Sequence, residues 1–361
     1  MINYRDIIFD TFSCDVWQTL LSSSKPILIY GMGNGADKII GVMERYGISY
    51  QDVFASDGFV RGHSYRGKTV LSYSQAVSKY GDFDIVVSFG SKLPDVIDRI
   101  YSLEKMHNVY APDVPVVDGE LFCEEFFNKN CDKLFRARES FSDEQSKRVF
   151  DDIIRFKLTA RLEYLRKTSF SENEERKILS YDKYQSYLDL GAYNGDTAKK
   201  YSTLCKNLNK IYALEPDKRN FKKLCAFLDT LNISSEPINS AAYSTDTELC
   251  FSASGNRNST ATKAGSFEHK VTTVNALKPD SVVDSVDFIK YDIEGLEYEG
   301  LLGSKRLLQE CMPDLLVSMY HKSEDMFELP LLIKEINPNY RLFLRRLPYI
   351  PAWDLNLYAI K

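Results

Sequence analysis

The sequence lacks the features that would mark a membrane or secreted protein. No window approaches the roughly 20 continuous apolar residues that a membrane-spanning helix needs. The amino terminus, MINYRDIIFDTFSCDVW, has acidic residues inside its apolar stretch and neither a basic start nor a small-residue cleavage site, so it does not resemble a signal peptide. We therefore expect a cytoplasmic protein with no membrane span.

The cysteine pattern and the net charge argue against a disulfide-rich, a zinc-binding or a nucleic-acid-binding protein. The seven cysteines, an odd number, form no Cys-x-x-Cys pair and have no histidine at ligand spacing, so we expect reduced thiols rather than a disulfide framework or a zinc site. The net charge is −5, which gives no global electrostatic reason to expect a nucleic-acid ligand. With 361 residues, 44% of them hydrophobic, the chain should fold into two or three globular domains.

Two segments share a pattern in which an apolar run, a glycine-rich turn and a helix follow one another. The first is KPILIYGMGNGADKII at 25–40, and the second is SYLDLGAYNGDTAKKYSTL at 186–204. Each predicts a strand that passes through a tight turn into a helix. An acid follows each turn, Asp57 at 26 residues after Gly31 and Glu215 at 24 residues after Gly191, which suits a ribose-binding carboxylate.

These two units and the segment between them predict the organisation of the chain. We expect an α/β protein with two Rossmann-like domains, at 1–125 and 181–361. The apolar residues that follow Ser142, a capping-type residue, recur at helical spacing, which predicts a helical connector over 126–180.

The second glycine turn carries acidic residues that a dinucleotide would not favour. In DLGAYNGD, Asp189 precedes the first glycine and Asp196 follows the last. Carboxylates there would repel a pyrophosphate but suit a cationic ligand with an amino group, such as S-adenosylmethionine. Asp189 or Asp196 would hold the amino end, Gly191 and Gly195 would let the backbone approach, and Glu215 would accept the ribose hydroxyls.

Two later strands direct further polar residues to the same sheet edge. The strand at 287–291 delivers Asp292 and Glu294 into a loop before a helix that starts near Leu296, and the strand in PDLLVSMYH ends at His321. In an open α/β sheet this edge faces the ligand crevice, so His321 is predicted to act as a general base with Asp292 assisting. Hard oxygen ligands with an imidazole would suit Mg²⁺ or Mn²⁺, but no spacing signature demands a metal, and we predict none.

At these residues the sequence resembles the FkbM family of methyltransferases. The resemblance rests on YLDLGAYNGDT, IYALEPDKRNFKKL, the N-S-A-A-Y segment, DFIKYDIEGLEYEGLLG and the strand that ends in MYH, and it covers roughly residues 180–361. It implies a class I methyltransferase fold, with a seven-stranded mostly parallel sheet whose last strand is antiparallel. It also implies O-methylation of a hydroxyl on a sugar, glycan or secondary metabolite, with a role in polysaccharide biosynthesis.

The resemblance completes the predicted site. The catalytic residues are His321, Asp292 and Glu294. The residues expected to bind S-adenosylmethionine are Asp189, Gly191, Ala192, Tyr193, Asn194, Gly195, Asp196, Thr197, Glu215, Pro216, Asn239, Ser240, Ala241 and Asp292. The expected acceptor is a small molecule or glycan, with Tyr193, Tyr291 and Trp353 as candidates for stacking on it, and the 251–268 loop is predicted to be mobile and to shape the acceptor pocket.

The role of the first unit stays open. GMGNGA fits the G-x-G-x-x-A motif, so the alternative function is an NAD-dependent oxidoreductase that uses Gly31, Gly33 and Asp57. The same glycines could instead serve tight strand–helix packing in a scaffold for dimerisation or acceptor docking. The scaffold is slightly favoured, with a homodimer through this domain as the expected assembly.

Overall fold

The structure is a computed structural model that describes residues 3–60, 62–117, 119–252, 260–262 and 271–361. The strands of these residues are β1 (Ile27–Tyr30), β2 (Asp52–Ala55), β3 (Ser64–Tyr65), β4 (Lys68–Thr69), β5 (Leu71–Ser72), β6 (Asp84–Val87), β7 (Val109–Tyr110), β8 (Ser186–Leu190), β9 (Lys210–Leu214), β10 (Ser234–Ile238), β11 (Ala241–Ala242), β12 (Thr247–Ser252), β13 (Thr260–Thr262), β14 (Val271–Leu277), β15 (Phe288–Tyr291), β16 (Asp314–Ser318), β17 (Arg341–Arg346) and β18 (Leu355–Ile360).

Helices connect most of these strands. They are α1 (Tyr4–Ile8), α2 (Val16–Leu21), α3 (Asn34–Arg45), α4 (Tyr73–Tyr80), α5 (Pro94–Leu103), α6 (Glu124–Glu139), α7 (Glu144–Thr159), α8 (Leu162–Lys167), α9 (Glu172–Ile178), α10 (Asp196–Leu204), α11 (Lys218–Leu228), α12 (Pro279–Val282), α13 (Glu297–Leu302) and α14 (Asp325–Ile336). Asp57–Phe59 and Tyr181–Lys183 form 3₁₀ turns, and Leu307–Cys311 forms a π-helical turn.

The N-terminal part of the chain forms a five-stranded sheet in the order β5-β2-β1-β6-β7, with every pairing parallel. All four residues of β1 are buried, as expected for a parallel strand with both faces covered. The chain leaves β1 through Gly31 and Gly33 and enters α3, which is the strand–turn–helix order predicted for 25–40.

The C-terminal part forms a seven-stranded sheet in the order β10-β9-β8-β15-β16-β18-β17. The pairings from β10 to β16 are parallel, whereas β18 runs antiparallel to both of its neighbours. The sheet is therefore mixed, which corrects the expectation of a mostly parallel one. The reason is that β17 and β18 follow each other closely in sequence, and a short connection can join only antiparallel neighbours.

A four-stranded sheet, β11-β14-β12-β13, lies in the chain between β10 and β15 and is not predicted from the sequence. Part of the predicted mobile loop at 251–268 belongs to it, because β12 runs to Ser252 and β13 spans 260–262. The remainder of that predicted loop lies outside the described residues.

The predicted helical connector consists of α6, α7, α8 and α9, and α6 already begins at Glu124. The residue that caps α7 is Asp143, whose side chain accepts the Ser146 amide hydrogen, rather than the predicted Ser142. Helix α7 also packs on β17, where the Ser146 hydroxyl accepts the Leu344 amide hydrogen at 2.9 Å. A single cluster of buried apolar side chains includes members of both sheets and of these helices.

Within the described residues, no helix is both long and apolar enough to cross a membrane. The seven cysteines are free thiols.

Candidate active site

A cavity of about 450 Å³ lies at the carboxyl-terminal edge of the seven-stranded sheet. It gathers predicted residues from five separate segments, namely Gly191, Tyr193, Asp196, Thr197, Glu215, Pro216, Ser240, Ala241, Asp292, Glu294 and His321. The predicted residues that do not line it are Asp189, Ala192, Asn194, Gly195 and Asn239. The cavity forms here because successive parallel strands end at the same edge of the sheet.

The glycine turn after β8 requires a residue without a side chain at its first position. Gly191 has a φ of +81°, and a Cβ atom there would overlap the backbone carbonyl of Asp292. The Gly191 and Ala192 amides both donate to the Leu214 carbonyl, at 3.0 and 2.9 Å, which anchors the turn to β9. The turn is thus pressed between β9 and the loop that carries Asp292.

Glu215 closes the other side of this turn. Its Oε2 accepts the amide hydrogen of Tyr193 and its Oε1 accepts that of Asp217, both at 2.8 Å. Burial raises the pKa of Glu215 to about 7, although these two amide hydrogens oppose the shift. The carboxylate therefore fixes the turn and still lines the cavity.

A buried lysine links two of the predicted acids. Lys290 Nζ lies 3.5 Å from Asp189 Oδ1 and 3.4 Å from Asp292 Oδ2. Burial opposes its charge, but the two carboxylates raise the pKa of Lys290 above its ordinary value. Asp189 is fully buried, and burial raises its pKa, although Lys290 and the Thr197 hydroxyl oppose the shift.

Beyond Lys290, carboxylates surround His321. The His321 Nε2 atom lies 3.6 Å from Asp292 Oδ1 and 3.6 Å from Glu294 Oε2, and Nδ1 lies 2.9 Å from Glu297 Oε1. Glu297 Oε1 also accepts the Ile293 amide hydrogen at 2.8 Å. The predicted convergence of Asp292, Glu294 and His321 is present in the structure, and Glu297 joins them.

The charges of this group act on one another. Burial alone would lower the pKa of His321, but Glu297, Asp292 and Glu294 together raise it to about 10. Burial raises the pKa of Glu294 to about 7, whereas Lys290 and His321 keep that of Asp292 below its ordinary value against the effect of burial. Burial and the charge of Glu297 also raise the pKa of Asp325, which lies behind the group, to about 7.

Three predicted residues make contacts within the protein instead of facing a ligand. Asn239 turns its amide to the backbone and donates to the carbonyls of Glu215 and Pro216 at 2.8 and 3.1 Å. Tyr291 is fully buried and donates to Ser304, so it does not face an acceptor. Asp57, the predicted ribose carboxylate of the first unit, accepts the amide and hydroxyl hydrogens of Ser74 at 3.1 and 2.8 Å.

The N-terminal part of the chain supplies one wall of the cavity, which the sequence did not predict. Lys92 and Val116 line it together with Tyr349 and Trp353. The wall is held by two backbone hydrogen bonds between Ser91 and Ile350, at 2.9 and 3.0 Å. Gly90 allows this approach, since a Cβ atom there would lie 2.5 Å from the Trp353 ring.

Two site residues that were not predicted, Lys290 and Glu297, have a recognisable signal in the sequence. Lys290 precedes Asp292 by two positions, so both side chains project on the same side of the chain as it leaves β15. A lysine inside an apolar strand usually has an oppositely charged partner, so its position in the sequence indicates that an acidic residue lies nearby. Glu297 stands at the start of α13, where a helix-capping role is an equally good interpretation.

Comparison with known proteins agrees with this geometry. Residues 189–351 match the family model described as the methyltransferase FkbM domain. The structure is similar to that of a methyltransferase FkbM from Methylobacillus flagellatus KT, with 19% identity, a TM-score of 0.70, and coverage of 95% of this chain and 92% of that one. The chain thus contains a methyltransferase domain, and that domain is of the FkbM type. A search of curated proteins found no match.

Two other solved structures match a smaller part of the chain. Aeropyrum pernix fibrillarin, in complex with natively bound S-adenosyl-L-methionine, is 13% identical with a TM-score of 0.34, and the match covers 50% of this chain and 69% of that one. The precorrin-6y C5,15-methyltransferase of Geobacter metallireducens GS-15 is 12% identical with a TM-score of 0.34, covering 53% of this chain and 90% of that one.

Proposed function

We propose that this protein transfers a methyl group from S-adenosylmethionine to a hydroxyl group of a sugar, glycan or secondary metabolite. The observation that carries the proposal is the single cavity in which the glycine turn at Gly191, the buried Glu215 and the cluster around His321 meet. The first two suit the cofactor, and the third suits the removal of a proton from the acceptor.

The residues around the turn fit S-adenosylmethionine by their chemistry. The lining is rich in carboxylates, which favour a ligand that carries a sulfonium and an ammonium group over a pyrophosphate. The Thr197 hydroxyl is buried, lines the cavity and lies beside Asp189, so it can also contact a ligand. Asp196 and Thr197 would hold the amino-acid end and Glu215 the ribose, while Asp189 supports the turn from behind.

When bound, S-adenosylmethionine supplies an activated methyl group on a sulfonium. The chain's own contribution is to hold the acceptor oxygen in line with that group and to exclude water, which can account for most of the rate enhancement. The hydroxyl proton passes to the cluster that contains Asp292, Glu294 and His321. The carboxylates that raise the pKa of His321 to about 10 keep its imidazole charged near neutral pH, so this predicted base instead orients Glu294 from 3.6 Å. Glu294, with a pKa of about 7, is the group suited to accept the proton.

The acceptor would enter beside Trp353. The Trp353 and Tyr349 rings lie 5.4 Å apart between their centroids, and the Trp353 indole nitrogen is buried without a partner among the described residues. An aromatic face with a free N–H donor suits a hydroxylated ring. On this proposal the N-terminal domain, 1–125, serves acceptor docking, the helices at 126–180 connect it, and 181–361 carries the transfer chemistry.

The test is calorimetric titration of the full chain with S-adenosylhomocysteine, followed by NADH in the same cell. We expect saturable binding of S-adenosylhomocysteine and no heat from NADH. Binding of NADH alone would overturn the proposal in favour of an oxidoreductase. An Asp189→Ala, Glu215→Ala double variant should lose affinity, and unchanged affinity would refute this placement of the cofactor.

A further inference from the structure

We propose that Asp292, Glu297 and His321 form a binding site for a divalent cation, Mg²⁺ or Mn²⁺, next to the point of methyl transfer. The three residues come from the end of β15, the start of α13 and the loop after β16. One ligand atom from each can be chosen so that all three lie within 4.8 Å of one another.

Burial distinguishes this group from an ordinary acidic surface. The side chains of Glu297 and His321 are 0% and 1% exposed, and Asp292 is the member that opens to the cavity, at 31%. Surface carboxylates are stabilised by water, but a buried carboxylate needs a positive partner. The group is therefore of the kind that a bound cation would stabilise.

The charges in the group do not balance. Three carboxylates, Asp292, Glu294 and Glu297, lie within 3.6 Å of the His321 ring, and Asp325 is buried behind them. The lysine at this edge, Lys290, is shared between Asp292 and Asp189. The imidazole must be neutral to bind a metal, and the ionised carboxylates then exceed the cations. The excess is removed either by protons on Glu294 and Asp325, whose pKa values are about 7, or by a divalent ion.

Glu297 provides the second, independent observation. Its Oε2 atom is fully buried and has no hydrogen-bond partner among the described residues. Its Oε1 atom lies 2.9 Å from His321 Nδ1 and accepts the Ile293 amide hydrogen, so the two side chains are held side by side. Oε2 is the buried oxygen that is left for a cation.

The donor set selects the metal class. Two carboxylates and one imidazole favour a hard or borderline ion such as Mg²⁺ or Mn²⁺ over a thiophilic metal. Three protein ligands leave octahedral positions open on the cavity side, where Asp292 and Glu294 are exposed. An acceptor hydroxyl bound there would become more acidic and would be oriented for transfer, which deepens the proposed function and rests on it.

The experiment is a titration of the metal-free full chain with Mn²⁺. Binding is measured by the decrease in the electron paramagnetic resonance signal of free Mn²⁺. We expect one Mn²⁺ per chain, competition by Mg²⁺, and at least tenfold weaker binding in Glu297→Gln. Glu299→Gln, the same change in the same helix but away from the cavity lining, should bind Mn²⁺ like the wild type.

The outcomes separate the metal site from the methyltransferase reaction, because neither Mn²⁺ binding nor S-adenosylhomocysteine binding requires an acceptor. Wild-type protein that binds S-adenosylhomocysteine but no Mn²⁺ up to about 1 mM would overturn the metal site alone. So would Glu297→Gln that binds Mn²⁺ like the wild type. If Glu297→Gln does not fold, the more exposed Asp292→Asn replaces it, with the same tenfold loss expected.

Discussion

The two glycine turns have nearly the same sequence plan and different surroundings. At the first, a Cβ on Gly31 would lie 2.5 Å from the Phe89 ring, and Gly35 abuts the Ser88 carbonyl. At the second, Gly191 abuts the Asp292 carbonyl and lines the cavity. Gly31, Gly33, Gly35 and Asp57 do not line that cavity. Close packing accounts for Gly31, Gly35 and Gly191 alike, so glycine at a strand–helix turn does not by itself indicate a ligand site.

The largest expected difference comes from adding one methyl group to each turn. Gly191→Ala forces a side chain against a backbone carbonyl at a φ of +81°, so we expect S-adenosylhomocysteine binding to be lost and stability to fall. Gly33→Ala, at a φ of +113° with open space around it, should cost about 1–3 kcal/mol through backbone strain and leave binding intact. Calorimetry and urea unfolding measure both effects. An equal loss of S-adenosylhomocysteine affinity in the two variants would contradict the assignment of the ligand site to the second turn alone.

A second contrast uses the acids. Asp189→Asn removes the buried charge that pairs with Lys290, and we expect S-adenosylhomocysteine affinity to fall about tenfold, or about 1.4 kcal/mol. Asn keeps the size of the side chain, so packing should change little. Fluorescence or calorimetric titration provides the measurement, and an affinity within twofold of wild type would show that Asp189 has only a structural role.

The third prediction concerns pH. The pKa of Glu215 is raised to about 7 in the folded protein, from an ordinary value near 4.5, so the folded state binds its proton more tightly than the unfolded state does. The stability that this proton contributes is fully present below about pH 4.5 and is lost as pH rises through about 7. Relative to Glu215→Gln, the wild type should therefore lose on the order of 3 kcal/mol over this range. Urea unfolding of both proteins at several pH values measures this difference. The same dependence of the unfolding free energy on pH in both proteins would contradict it.

The smallest effect is expected at the acid of the first turn. Asp57→Ala loses the contacts with Ser74 at the start of α4, which should cost about 0.5–1 kcal/mol, as for an exposed helix cap. S-adenosylhomocysteine affinity should not change. Thermal unfolding detects the stability loss, and a change in NADH binding would revive a nucleotide role for this turn.

Local signals explain what was predictable from the sequence. Strands β1, β8 and β15 are short, largely apolar runs that are followed directly by glycine or aspartate, and His321 comes three residues after β16. Their positions and the convergence of Asp292, Glu294 and His321 follow from the rule that parallel strands end at one edge. The cap of α7 was placed one residue early because Ser142 and Asp143 are both good caps, and Ser142 instead bonds to Leu342.

What was missed depends on contacts distant in sequence. No local pattern relates Lys92 or Gly90 to Trp353, because residues far apart in the chain build that wall. The sheet β11-β14-β12-β13 pairs a two-residue strand with a longer one after a wide gap, and its short strands give little periodicity. The mixed order of the large sheet likewise depends on where β18 inserts rather than on its own residues.

The packing of α7 on β17 bears on how the chain can be divided. Arg345 is buried, and its guanidinium bonds to Asp143 at 2.6 Å and to the Ser146 hydroxyl at 2.7 Å, both from the helical segment. A fragment that starts at residue 181 would retain the arginine and lose both partners, leaving a charge on an uncovered apolar strand face. Such a fragment should be poorly soluble, and a fragment that starts ahead of α6 should be more soluble. Because the two segments are about 200 residues apart, their contact has a large loop-closure cost, and we expect this strand edge to form late in folding.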